Sequence, residues 1–195
     1  LVLVHQIAPQ QRDVLDTESL ESGRIGYSFQ RIDLGTEIQT AVDASRDADP
    51  GRQINFDPPV PPVSIEADPD RFQQVLSNLL ENARKNSPVN EEITVSTEIV
   101  PATGGTDSKA AGLARISVID HGTGVSPDSV ERIFDKFVRG NDNAVTGTGL
   151  GLYIVRTIVE AHHGRIWCES DPGHRTAFIV ELPLAEVPAA LPDDQ

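Results

Sequence analysis

The chain has 195 residues, 38% of them hydrophobic, which suffices for one ordinary domain with a proper core and a short appendage. Asp and Glu number 30 against 16 Lys and Arg, and the resulting net charge of −14 argues against a nucleic-acid or anionic-membrane surface. A single cysteine, Cys168, excludes an internal disulfide and fits a reducing cytoplasm, and no apolar run approaches the roughly 20 residues that span a bilayer.

Methionine is absent even from position 1, so the sequence reads as a piece of a longer chain. The opening LVLVHQIA is too short, and lacks the basic flank, to be a signal peptide. Residues 1–25 read as helical from about Pro9, with Gly23 as a stop. A second, short helix is expected to open at Thr36, with Gln39 three positions on in a capping-box pattern. The proline-punctuated PPVPPVSIEADPD (58–70) is a connection with an extended segment. Asp68-Pro69 then starts the clearest helix of the chain, which Pro88 ends. EITVSTEIV and ARISVID alternate and are β-branched, so they read as strands, joined by the small-residue loop PATGGTDSKAAG. Residues 126–140 hold a short helix and an irregular stretch; after a glycine-flanked helix, GRIWCES and TAFIVELPL read as two more strands joined by DPGHR. The end, AEVPAALPDDQ, reads as a frayed tail. The expected fold class is α+β: a two-layer α/β sandwich whose mixed, mostly antiparallel sheet is covered on one face by about three helices.

Three stretches carry chemistry. On the helix from Asp68, Phe72, Val75, Leu76, Leu79, Leu80 and Ala83 share one broad face. Asn78, Asn82 and Lys85 fall within about 60° of one another along its edge. Asparagine is tolerated at any helix surface, yet two of them four apart with a lysine in register also offer hard oxygen to Mg²⁺ and a cation to phosphate. In VIDHGTG, Asp120 ends a strand beside Gly122 and Gly124, which fits either an ordinary Asx turn or an acceptor for a flat ligand such as adenine. In VTGTGLGLYIV, Gly147, Gly149 and Gly151 stand against a helix start, where bare N–H groups and the positive dipole end suit phosphate. The spacing matches neither a P-loop nor a dinucleotide fingerprint.

NLLENARKNSP, DHGTG, IFDKFVRG and GTGLGLYIV, in that order, resemble the N, G1, F and G2 boxes of the sensor histidine kinase catalytic domain. That domain has the Bergerat fold, shared with gyrase and mismatch-repair ATPases. The resemblance covers about residues 30–184. It implies an enzyme that binds ATP and Mg²⁺, with Asn82 as the Mg²⁺ ligand, Asn78 beside it and Lys85 on phosphate. Asp120 would hold the adenine amino group, Gly122 and Gly124 would shape the base pocket, and Thr176 would help Asp120. Residues 134–146 would form a lid whose Lys136 and Arg139 reach the phosphates, and Gly147, Gly149, Leu150 and Gly151 would present backbone donors.

The sequence departs from the family pattern in three places. Asn86 replaces the aromatic that commonly follows the N-box lysine, and Arg175 stands where the last glycine box has its second glycine. No HELRTP-like phosphoacceptor box exists, and His5 lies too close to the N box to be one. The γ-phosphoryl group would therefore go to a histidine on a separate dimerisation domain of a homodimeric parent, and from there to a response regulator. Residues 1–27 would end that helical segment, 28–184 would form the catalytic domain, and 185–195 a disordered tail. The parent would be cytoplasmic or the cytoplasmic part of a membrane-bound sensor, and this fragment would contact no membrane. The alternatives are a regulatory nucleotide-binding domain and a self-contained ATPase of the same superfamily. For the ATPase, the base position holds Asn78, and Glu81 is expected to point to the far side of the helix. His162 and His163 are read as helix-end imidazoles favouring the dipole, His121 as lining the pocket, His174 as a turn residue and Cys168 as a core thiol.

Overall fold

A computed structural model describes residues 26–101, 112–138 and 148–185. The helix expected within 1–25, most of the 101–112 loop and the tail from 186 lie outside the described residues. Among the described residues, seven strands and three α-helices follow in chain order. They are β1 (Gln30–Asp33), α1 (Leu34–Ala48), β2 (Ile54–Phe56), β3 (Ser64–Ala67), α2 (Pro69–Asn86), β4 (Ile93–Val100) and β5 (Leu113–Asp120). After a three-residue 3₁₀ turn at Arg132–Phe134 come α3 (Gly151–Ala161), β6 (Arg165–Asp171) and β7 (Arg175–Pro183).

Strands β2, β4, β5, β7 and β6 form one sheet in that order. The β2–β4 pair is parallel and the rest are antiparallel, while β1 and β3 pair antiparallel by themselves. The helices cover one face of the large sheet. Along β5 every second residue (Ala114, Ile116, Val118, Asp120) is buried, the period-2 signature of a strand with one face in the core. Against them pack Phe72, Val75, Leu76, Leu79, Leu80 and Ala83 of α2 and Ile154, Val155, Ile158 and Val159 of α3. The expected two-layer sandwich is the one observed.

β7 is buried along both faces, and on the side away from the helices the buried residues are Ala177, Ile179 and the charged Glu181. Arg115, Glu181 and Arg165 stand opposite one another on adjacent strands. Glu181 is 1% exposed and bridges both guanidiniums, at 2.7 Å to Arg115 and 2.6 Å to Arg165. Burial pushes its carboxyl up, but the two arginines outweigh that and hold it below the usual range. Trp167 lies beneath both guanidiniums, at 5.8 and 5.0 Å.

Several boundaries differ from expectation. The N-cap of α1 is Asp33, whose carboxylate accepts the Thr36 N–H at 2.7 Å, so the helix starts before Thr36 and runs 15 residues. The Asp33 carboxylate, three residues before Thr36, takes the N–H of the third helical residue, so Thr36 lies inside the first turn and is not the cap. β1 and β2 were too short to leave an alternating pattern. The short helix expected in 126–140 is only the Arg132–Phe134 turn. Ala185, placed by the sequence in the tail, is buried and donates to the Ser64 carbonyl.

Candidate functional site

Asp120 and Thr176 face each other across β5 and β7 at the end of the sheet, and both are buried on its helix side. The strand ends there because the chain turns back on the Asp120 carboxylate, whose Oδ1 accepts the Gly122 N–H at 2.9 Å. Burial raises the Asp120 carboxyl above its ordinary value, opposed by the Gly122 N–H and the nearby His121. Ser170 shares a hydrogen bond with the Thr176 hydroxyl (3.2 Å) and accepts the Val125 N–H (2.9 Å). His121 donates from Nδ1 to the His174 carbonyl at 2.9 Å, and Gly124 lies against Pro172. The loop after β5 is thus fastened to the β6–β7 turn on several sides.

The edge of α2 borders this corner. Its N-terminus is sealed by Asp68, with Pro69 in the first turn, and its C-terminus by Arg52. Arg52 is 5% exposed and donates to the carbonyls of Arg84 and Ser87 at 3.1 Å and of Pro88 and Glu91. Asn78 and Asn82 are half-buried, as a stripe beside the core should be. Asn78 donates from Nδ2 to the Gly151 carbonyl at a long 3.4 Å, tying α2 to the start of α3. Asn86 donates from Nδ2 both to the Asn82 carbonyl (2.8 Å) and to Asn82 Oδ1 (3.0 Å). Its own carbonyl presses on Gly122, where an added Cβ would stand 2.1 Å from that oxygen. Lys85 pairs with Glu81 at 2.6 Å, so Glu81 stands on the lysine's edge rather than on the far side of the helix. Both are well exposed, so the pair contributes little and a phosphate could displace it.

The third part is the start of α3. Where α1 and α2 carry aspartate caps, α3 begins at Leu150 with no side-chain cap. Gly149 has φ +70°, and a Cβ there would stand 2.9 Å from the backbone of Phe137. Phe137 N–H in turn donates to the Gly149 carbonyl at 3.0 Å. Leu150 points into the core, and the exposed Phe137 itself has φ 62°. Lys136 lies over the Tyr153 ring at 5.0 Å. Arg139 and Gly147, and the lid stretch 139–146, lie outside the described residues.

Asp120, Gly122, Asn86 and Asn82 therefore form one chain of contacts from sheet to helix, and Asn78 continues it to Gly151. Among the described residues no group of three His, Cys, Asp or Glu side chains could hold a metal. The donor set here is a neutral amide oxygen. That suits Mg²⁺, which keeps several waters and takes much of its coordination from substrate phosphates.

His162 departs from expectation. It is buried, Nε2 accepts the Asp68 N–H at 3.0 Å, and Nδ1 donates to the Ile158 carbonyl at 2.8 Å. Burial lowers its pKa, so it is a neutral cross-link between α2 and α3 rather than a helix-end cation. Cys168 is buried, its thiol pushed up to about 12 by burial and by Asp120, as suits a core residue. Sequence reasoning missed Ser170, Arg52 and the inward turn of Asn86. Their partners are backbone groups distant in sequence, the Thr176 hydroxyl across the β6–β7 turn, or an amide four residues back, and only the Asn82–Asn86 spacing was visible beforehand.

A family model described as "Histidine kinase-, DNA gyrase B-, and HSP90-like ATPase" matches residues 67–186. The sensor protein KdpD of Escherichia coli K12 is 36% identical over 180 residues, covering 90% of this chain and 19% of KdpD. Full-length ShkA in complex with AMPPNP superposes with a TM-score of 0.75 at 28% identity, covering 93% of this chain and 36% of ShkA. The catalytic domain of histidine kinase ThkA in a nucleotide-free form superposes with a TM-score of 0.62 at 27% identity, covering 80% of this chain and 95% of that domain. The chain thus spans only a minor part of KdpD and of ShkA.

Proposed function

Given that the chain belongs to the histidine kinase-, DNA gyrase B- and HSP90-like ATPase family, we propose that it is the ATP-binding catalytic domain of a sensor histidine kinase. It transfers the γ-phosphoryl group of ATP to a histidine on a separate dimerisation domain of its homodimeric parent, for relay to a response regulator. The parent works in the cytoplasm or on the cytoplasmic side of a membrane-bound sensor; among the described residues no helix is long and apolar enough to cross a membrane. The observation that carries this reading is the contact chain from Asp120 through Gly122 and Asn86 to Asn82, which puts a buried carboxylate and a metal-suited amide at one corner.

In this reading Asp120 accepts the adenine amino group on the oxygen that Gly122 does not hold, and Thr176 supports it. Gly122 and Gly124 let the base lie against backbone. The uncapped start of α3, with Gly147 and Gly149 before Leu150 and Gly151, donates N–H groups to the phosphates. Lys85, Lys136 and Arg139 add cations. Asn82 holds Mg²⁺, which when bound neutralises phosphate charge and orients the γ-phosphoryl group. Catalysis by these residues is positioning and charge neutralisation, and the nucleophile comes from the acceptor domain. The ATPase alternative is poorly served: Asn78 holds a backbone carbonyl where a base would stand, and Glu81 is paired with Lys85.

The test is phosphoryl transfer in trans. Incubated with γ-labelled ATP and Mg²⁺, the chain alone stays unlabelled, and an added dimerisation domain bearing a histidine becomes labelled. Labelling of this chain at one of its own histidines, or steady release of phosphate without acceptor labelling, would overturn the reading.

A further inference from the structure

Asn86 occupies the position where relatives in the resembling family commonly carry an aromatic ring, and here the side chain turns back along its own helix. Its Nδ2 donates to the Asn82 carbonyl at 2.8 Å and to Asn82 Oδ1 at 3.0 Å. The first of these bonds settles the orientation of both amides. A backbone carbonyl can only accept, so the Asn86 atom facing it is the NH₂ group. The side-chain atom of Asn82 that meets the second hydrogen of that group must then be its oxygen. An amide oxygen has two acceptor sites. One is taken by Asn86, and the other stays available in a plane that Asn86 fixes. Without that bond the terminal torsion of Asn82 has a broad, roughly two-fold well, and half of its orientations present NH₂ in place of oxygen. Asn86 is itself held, because its carbonyl abuts Gly122 so closely that no side chain fits there.

We infer that Asn86 is a positioning residue for the metal ligand: it holds the Asn82 amide with its oxygen presented to Mg²⁺, and through Gly122 it keeps that ligand in register with the adenine carboxylate. The inference rests on the reading of Asn82 as the Mg²⁺ ligand and adds to it the group that orients the ligand, as outer-shell partners do at metal sites generally.

The experiment compares the ATP dissociation constant of the full chain in EDTA with that in excess MgCl₂, by calorimetry. In the native chain Mg²⁺ tightens binding. Asn86→Ala leaves the EDTA value unchanged and cuts the Mg²⁺-dependent gain by about tenfold. Alanine is the strongest helix former, so the end of α2 should persist; Asn86→Leu, similar in volume and also without a donor, carries the same expectation. Asn86→Gln, whose amide can reach back to position 82, restores most of the gain. Asn82→Ala abolishes it, and Asn82→Ala/Asn86→Ala behaves like Asn82→Ala alone. Should Asn82→Ala abolish the gain while Asn86→Ala and Asn86→Leu preserve or enlarge it, Asn86 does not orient the ligand and the inference fails by itself. Should Asn82→Ala keep the gain, the ligand assignment fails and the inference with it.

Discussion

Burying Asp120 at the end of β5 raises its carboxyl above the ordinary range, because desolvation outweighs the Gly122 N–H and the nearby His121. For an acid with a raised folded value, the ionised form is disfavoured by folding at neutral pH, and the penalty is relieved as pH falls. Asp120→Asn should therefore raise the melting temperature of the ligand-free chain while weakening ATP binding by about tenfold or more, since a hydrogen bond to a charged acceptor is lost. A melting curve and a titration on the same sample check both signs. ATP affinity of the native chain should likewise fall on acidification at a pH above the ordinary aspartate value of about 3.9. His162 gives the opposite stability profile. Its folded value lies below the unfolded one, so the unfolded chain binds the proton more readily. Stability is complete above about pH 6.5 and declines as pH falls toward the lowered folded value. Denaturant unfolding at pH 7.5 and 5.5 should show this loss in the native chain, and His162→Gln should reduce it.

Helix ends, more than helix bodies, set the site. The apolar face of α2 was legible from its spacing, and so were its bounds, because Asp68-Pro69 and Pro88 are unambiguous signals. The seal at its other end was not legible: Arg52 reaches four carbonyls from a loop more than 30 residues away, and nothing in its neighbours announces that. Gly122 could be read as a turn residue, but what it requires is space against Asn86. Gly122→Ala should accordingly cost more than the roughly 1 kcal/mol typical of a point substitution and should abolish ATP binding, measured by thermal melting and titration. If Gly122→Ala bound ATP normally, the end of α2 and the loop after β5 would not share a site. Similarly, α1 was misplaced because the Thr36–Gln39 pattern drew the boundary away from Asp33, which caps the helix.

At the scale of the whole molecule, the two-layer plan was readable because β5 keeps a strict two-residue period and α2 gathers its apolar residues on one face. The sequence left two things hidden. β1 and β3 form a small separate pair too short to show a pattern. On the helix-free face of the main sheet Glu181 of β7 is buried by pairing with Arg115 and Arg165, a charge row that reads in sequence as ordinary surface. The segment leading into the body is fixed by the same junction that holds the helices: Ser28 N–H donates to Asp68 at 2.8 Å, and Tyr27 and Phe29 pack on the His162 ring. Within this frame Asp120 and the α2 edge meet at one corner, and in the proposed function the Asp120 carboxylate accepts the adenine amino group. The most direct measurement is calorimetric titration of the full chain with ATP and, separately, with GTP, which offers a carbonyl where ATP offers its amino group. ATP is expected to bind with a Kd between about 1 µM and 1 mM, and GTP at least about a hundredfold more weakly, because the buried carboxylate would be left facing an acceptor. Equal affinities, or no saturable binding of ATP, would contradict a site built around Asp120.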